Sequence, residues 1–229
     1  MYTLIIGNKN YSSWSLRPWI LMKELGFSFT EKMEPFIEGG SWDTYRRFSP
    51  TGTVPVLVDE QENIKVWDSL AIVEYLAEKH PEVWPENIQA RAWARATTAE
   101  MHSGFSAIRN QCNMTVGQRV KLHQISPELQ KDINRIDEIW TEGLAMFNGD
   151  FLAGKTFTAV DAFYVPVAYR VRTYSLPISK QAQIYAERLL QLNSAIEWEH
   201  AALQEVWRES FHEKETTDAG IVLEDFRAV

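Results

Sequence analysis

Three stretches of this 229-residue chain carry residue types that could do chemistry on a small ligand. The first is Thr53-Val54-Pro55-Val56-Leu57. A proline between β-type residues cannot donate a ladder hydrogen bond, so the chain there must stop pairing within its own sheet. An X-Pro bond also reaches the cis form at a cost of only about 0.5–1 kcal/mol, which re-aims the chain sharply. Both features leave the N–H and C=O of Val54 free to grip an extended peptide. The second stretch is Asp68-Ser69, which reads as a helix start, where unpaired N–H groups and the helix dipole favour a bound carboxylate. The third is Tyr11-Ser12-Ser13-Trp14-Ser15-Leu16-Arg17, a hydroxyl-rich loop between a strand and a helix. A hydroxyl there can donate to an anion, assisted by the helix N-terminus. A peptide clamp beside a carboxylate site suits a short acidic peptide.

The elements that must position these residues follow from periodicity. Tyr2 to Ile6 reads as a buried strand ending at Gly7-Asn8. Leu16, Ile20, Leu21 and Leu25 have helical spacing, with Gly26 as a stop and Pro18 in the tolerated first turn. Phe27 to Pro35 is a second strand candidate, and Glu38 to Ser49 is irregular or a short helix. Val54 to Asp59 and Ile64 to Trp67 form strands around a tight turn, and Ser69 to Lys79 is helical. The order β-α-β-(α)-β-β-α predicts a small α/β unit with a mixed sheet, since the last two strands form a hairpin. His80 to Pro85 contains two prolines and stops the helix. From Asn87 onward every strong period is helical. Ile88 to Gln111 reads as one long segment, Pro127 to Phe147 has a clear 3.6-residue stripe, and Thr158-Ala159-Val160-Asp161 is a capping pattern. Gln181–Leu192 and Ser194–Val206 are further helices. The charged last fifteen residues read as a loosely held tail.

Composition narrows the partners. The net charge is −8, with no Lys/Arg run, which argues against nucleic acid. A 45% hydrophobic content supports a real core. The single cysteine, Cys112, forbids an internal disulfide and fits a reducing compartment, so a cytoplasmic protein is expected. No signal-peptide pattern or membrane-length apolar run is present. The histidines lack metal-ligand spacing, and no metal is expected.

An α/β unit, a proline linker and an all-helical remainder, in that order, resemble the glutathione transferase family over nearly the whole chain. The marks are Thr53-Val54-Pro55 with Asp68-Ser69, the pattern from Thr158 to Asp161, and the Tyr11–Arg17 loop, which is similar to the SSCSxR element of zeta-class members. The resemblance implies a thioredoxin-like glutathione-binding domain over residues 1–80 and an all-helical bundle domain over 87–229, joined by 81–86. It also implies a homodimer with glutathione as co-substrate.

The resemblance further implies that a serine five residues before the arginine holds the glutathione sulfur. That residue is Ser12, five before Arg17, with Ser13 second and Tyr11 third. The plainer reading is that Ser13 or Ser15 caps the helix. A free thiol has a pKa of about 8.5, and lowering it two units takes about 2.7 kcal/mol. One hydrogen bond to a charged group supplies about 1.5–3 kcal/mol. A serine at a helix start is therefore enough. Val54 and Pro55 would hold the cysteinyl part by strand addition. Ser69 would take the γ-glutamyl carboxylate, and Asp68 its ammonium. Thr53 stands where many relatives carry Lys or Gln, leaving Arg46, Arg47 or Lys9 for the glycine carboxylate. Trp14 replaces the zeta-type cysteine, which weakens thiol-based chemistry, and Cys112 reads as a core residue.

Met101, His102, Phe105, Ile108 and Arg109 share one side of a helix and are more often core than pocket, although an exposed part would make a cleft for an electrophile. Asp161 is assigned to folding. Trp93, Trp140, Trp198 and Trp207 read as core. The expected function is attack of an activated glutathione thiolate on a small electrophile or peroxide. A maleylacetoacetate isomerase-like cis–trans isomerase ranks below it. A non-catalytic binding protein on the same scaffold is the rival from another class; such proteins tend to lose the loop hydroxyl or the Asp-Ser pair, and both are present here.

Overall fold

A computed structural model describes residues 1–228. The chain opens with β1 (Tyr2–Ile6), α1 (Ser13–Glu24), β2 (Phe29–Met33) and a short α2 (Trp42–Tyr45). β3 (Val56–Asp59), β4 (Ile64–Trp67) and α3 (Ser69–Lys79) follow. The sheet order is β2-β1-β3-β4, with β1 parallel to β2 and antiparallel to β3. β1 is central and apolar, pairing Leu4 with Leu57 and Ile5 with Val56. A parallel neighbour needs a crossover, and α1 supplies it. Gly26, at φ +72, lets the chain turn back after α1. This is the thioredoxin-like arrangement expected from the sequence.

A 3-10 turn over Pro81–Val83 leads into the second half. It comprises α4 (Ile88–Ser103), α5 (Ser106–Gln111), β5 (Gln118–Leu122), α6 (Pro127–Phe147), α7 (Ala159–Tyr174), α8 (Lys180–Leu190), α9 (Asn193–Leu203), α10 (Ser210–Ala219) and β6 (Gly220–Asp225). α7 is mostly apolar and buried along almost its whole length, as a helix surrounded by others must be. It packs on α1, α4 and α8 and ties the two halves into one core. Trp140 and Trp198 lie in that core as expected.

Several expectations need correction. Residues 88–111 do not form one helix. The chain breaks at Gly104-Phe105, where Phe105 takes a left-handed φ of 58° and buries its ring. The remainder is helical as expected, with one small addition, β5 and β6 pairing antiparallel with a register shift at Arg119/Val120. β6 and α10 occupy the stretch read as a loose tail. Trp93 is only half-buried, against Phe147, and Trp207 is 46% exposed rather than core.

Candidate functional site

The Tyr11–Arg17 loop turns tightly between β1 and α1. Ser12 is the N-cap of α1. Its Oγ accepts from the Ser15 N–H at 3.4 Å and donates to Ser15 Oγ at 2.8 Å, which in turn accepts from the Gly7 N–H. Ser12 is therefore spent on the turn. Ser13 follows at the first helical position, and its Oγ accepts from Arg170 Nη2 at 3.5 Å. No acceptor takes the Ser13 hydroxyl proton among the described residues. The Tyr11 phenol donates to Glu213 and accepts from Arg227. Burial first, then the Glu213 carboxylate, push its pKa well above that of an ordinary tyrosine. The Trp14 ring lies between two guanidinium groups, 4.2 Å from Arg17 and 4.7 Å from Arg109.

The second wall is the peptide clamp. The Val54–Pro55 bond is cis. Neither the N–H nor the C=O of Val54 has a partner among the described residues. Thr53 donates its N–H to Ser49 Oγ and meets Thr51 with its hydroxyl. Asp68, at φ +75, caps α3 by accepting from the N–H groups of Leu70 and Ala71. Its other oxygen lies 3.3 Å from His102 Nε2. Ser69 Oγ accepts from Arg17 Nη1 at 3.3 Å, leaving the Ser69 proton available.

These walls enclose two adjoining cavities. A smaller one, about 240 Å³, is lined by Trp14, Thr53, Val54, Pro55, Asp68 and Ser69. A larger one, about 740 Å³, shares Trp14, Thr53 and Val54 and adds Tyr11, Ser12, Ser13, Arg109, Arg170 and the segment Glu209–His212. The structure thus brings Ser12, Ser13, Thr53, Val54, Pro55, Asp68 and Ser69 to one connected space. Arg109 and Arg170 line it and Arg17 lies behind Ser69, none paired with a carboxylate among the described residues. Burial, then mutual repulsion, hold Arg17 well below an ordinary arginine.

Other candidates fall elsewhere. Lys9 is buried and bound to Glu31 at 2.8 Å. Arg46 stacks on Trp42, Arg47 is exposed, and neither lines a cavity. Met101, Phe105 and Ile108 are core, so of that helical stripe only Arg109 reaches the larger cavity. Cys112 is fully buried, and burial pushes its thiol up to about 12.

Sequence reasoning missed Arg170, Asn113, Met114 and the chain end. Arg170 sits in an apolar helical run where a local period says core. The chain end is held by the ion pairs of Arg227 and by its hydrogen bond to Tyr11, 216 residues earlier. Arg227, 9% exposed, donates to Asp225 at 2.6 Å and to Glu213, clasping β6 to α10 beside Tyr11. His212 stacks between Tyr11 and Phe36 at 4.9 and 5.0 Å, with Nδ1 2.6 Å from Glu209 Oε2. Removing the clasp frees this wall. Arg227→Ala is expected to raise amide exchange across residues 210–225 by about tenfold or more while α7 stays protected. Exchange rising equally everywhere would mean that the clasp holds the whole fold instead.

The model of the glutathione S-transferase N-terminal domain matches residues 11–79, the span from the serine loop to the end of α3. A glutathione S-transferase-like protein of Beauveria bassiana, OpS6, is 26% identical over 65% of this chain and 72% of its own length. A probable maleylacetoacetate isomerase of Caenorhabditis elegans is 24% identical over 73% of this chain and 77% of its own. A glutathione transferase homologue from Burkholderia, solved with bound glutathione, superposes with a TM-score of 0.64 at 20% identity, covering 86% of this chain and 95% of that one. Residues 11–79 therefore match the glutathione S-transferase N-terminal domain, and the chain shares the fold of glutathione transferases over 86% of its length.

Proposed function

We propose that this protein is a glutathione transferase-like enzyme that binds glutathione in the smaller cavity and presents its thiolate to an electrophile or peroxide in the larger one. The observation that carries this reading is the unpaired Val54 backbone set between the Asp68-Ser69 helix start and the serine loop. An extended peptide paired with Val54 runs from a carboxylate site at Ser69 and the α3 N-terminus towards Ser13. We place the sulfur at Ser13 rather than Ser12, since the Ser12 proton is used within the turn and the Ser13 proton is free. The larger cavity has the volume of a typical small-molecule site. Residues 1–80 serve as the glutathione-binding domain and 87–229 as the helical domain, and the likeness to glutathione transferases supports a cytoplasmic homodimer. No metal is required. The relative named as a probable isomerase keeps cis–trans isomerisation as the second activity to assay.

Calorimetric titration with glutathione near neutral pH, and again about two units higher, tests the reading. Binding in the micromolar to low-millimolar range, with proton release at neutral pH that fades at the higher pH, is expected. Absence of binding at both pH values would leave a scaffold that has lost its ligand.

A further inference from the structure

We infer that Arg170 is a positioning residue for the glutathione thiolate, acting through Ser13: its guanidinium donates to Ser13 Oγ and so turns that hydroxyl into a stronger donor to sulfur. This rests on the glutathione reading above and deepens it.

Arg170 is buried at 7% exposure on α7 and lines the larger cavity. Its Nε donates to the Cys112 carbonyl at 2.7 Å and its Nη1 to the Pro166 carbonyl at 3.2 Å. These two bonds aim the third, Nη2 to Ser13 Oγ at 3.5 Å. A buried charge is expected to be paired, yet no carboxylate lies within ion-pair reach of Arg170 among the described residues. The titratable groups facing it are Arg109 from α5, Cys112 and Tyr174, and Glu215 from α10. Arg109 repels it. Cys112 and Tyr174 are held neutral by burial, and burial also raises Glu215. Arg170 remains protonated at neutral pH, its pKa lowered only to about 10. A cation fixed in a dry wall with no anion of its own favours an anion arriving in the cavity. Of the side chains lining the larger cavity, Ser13 is the one whose hydroxyl accepts from it. A hydroxyl that accepts from a cation donates more strongly, because hydrogen bonds in a chain polarise one another. The thiol proton leaves to solvent, sulfur keeps the electron pair, and Arg170 stays protonated throughout.

The test uses the full-length protein, Arg170→Gln and Arg170→Lys, with two probes. Glutathione has an ionisable thiol; S-hexylglutathione has the same peptide and no ionisable sulfur. The pKa of bound glutathione is read from ultraviolet thiolate absorbance against pH. In Arg170→Gln it is expected to rise by about one unit or more, a tenfold loss of thiolate preference. S-hexylglutathione affinity should stay within about threefold, showing an intact clamp. Arg170→Lys should recover most of the shift, since its charge is kept. An unchanged thiol pKa in Arg170→Gln overturns the inference. So does a parallel loss of both ligands, which would make Arg170 a packing residue only. Failure of the wild-type protein to bind either probe would overturn the glutathione reading itself, a result distinct from those two.

Discussion

Ser13→Ala is expected to lose at least tenfold in turnover, about 1.4 kcal/mol, and to raise the pH at which bound glutathione ionises. The Ser13 hydroxyl lines the larger cavity and has no acceptor of its own among the described residues, so its proton is available to a sulfur anion. A hydrogen bond to a charged acceptor contributes about 1.5–3 kcal/mol, which covers the expected loss. Ser12→Ala should behave differently. It removes the cap that holds α1 to β1, costing about 1 kcal/mol of stability, while turnover of the folded enzyme falls by about threefold or less. Paired measurements of turnover and melting temperature separate the two roles. A dead Ser12→Ala beside an active Ser13→Ala would put the sulfur one residue earlier.

Asp161→Asn should lower the melting temperature by on the order of 10 °C. The Asp161 side chain is fully buried at the start of α7 and accepts four hydrogen bonds. Leu152 N–H and Tyr185 Oη reach Oδ1 at 2.9 and 2.8 Å; Thr158 N–H and Oγ1 reach Oδ2 at 3.0 and 3.3 Å. An asparagine amide turns an NH₂ towards two of these donors. Each donor orphaned in the interior costs about 1–3 kcal/mol, and a chain of this size loses about 2–4 °C per kcal/mol. The carboxyl also titrates. Burial pushes it from 3.8 up to about 6, against the donors that pull it down. A folded pKa above the unfolded one means that the folded state binds the extra proton between those values. The corresponding stability is complete below about 4 and is lost as pH rises through about 6, a change on the order of 3 kcal/mol. Asp161→Asn should flatten the stability profile in that window. A variant melting with the wild type, or keeping its slope between pH 4 and 6, would show that Asp161 does not carry the end of α7.

The elements of the first eighty residues were legible because each rests on a local signal. Alternation and β-branching marked β1, β3 and β4, and the proline at position 55 marked where the ladder stops. The Asp68-Ser69 and Thr158–Asp161 caps were readable for the same reason: a cap bonds residues two or three apart. Phe105 was not readable. Nothing nearby forces a left-handed phenylalanine, and burial of its ring within the core accompanies it. Nor was β6, a polar strand whose order comes from pairing with β5, about a hundred residues earlier, and from the Arg227 clasp.

The order of donors in the serine loop shows where the division falls. By itself the amino-acid sequence determined a hydroxyl-rich loop after β1, a backbone freed by proline before β3 and a helix start after β4, because strand, turn and helix periods are local properties. Only the tertiary structure decided which hydroxyl is free. Ser12 and Ser13 are chemically identical neighbours; what separates them is Ser15 turning one way and Arg170, 157 residues later on a buried helix, reaching in from the other. Packing of α7 against α1 makes that meeting, and no spacing along the chain encodes it.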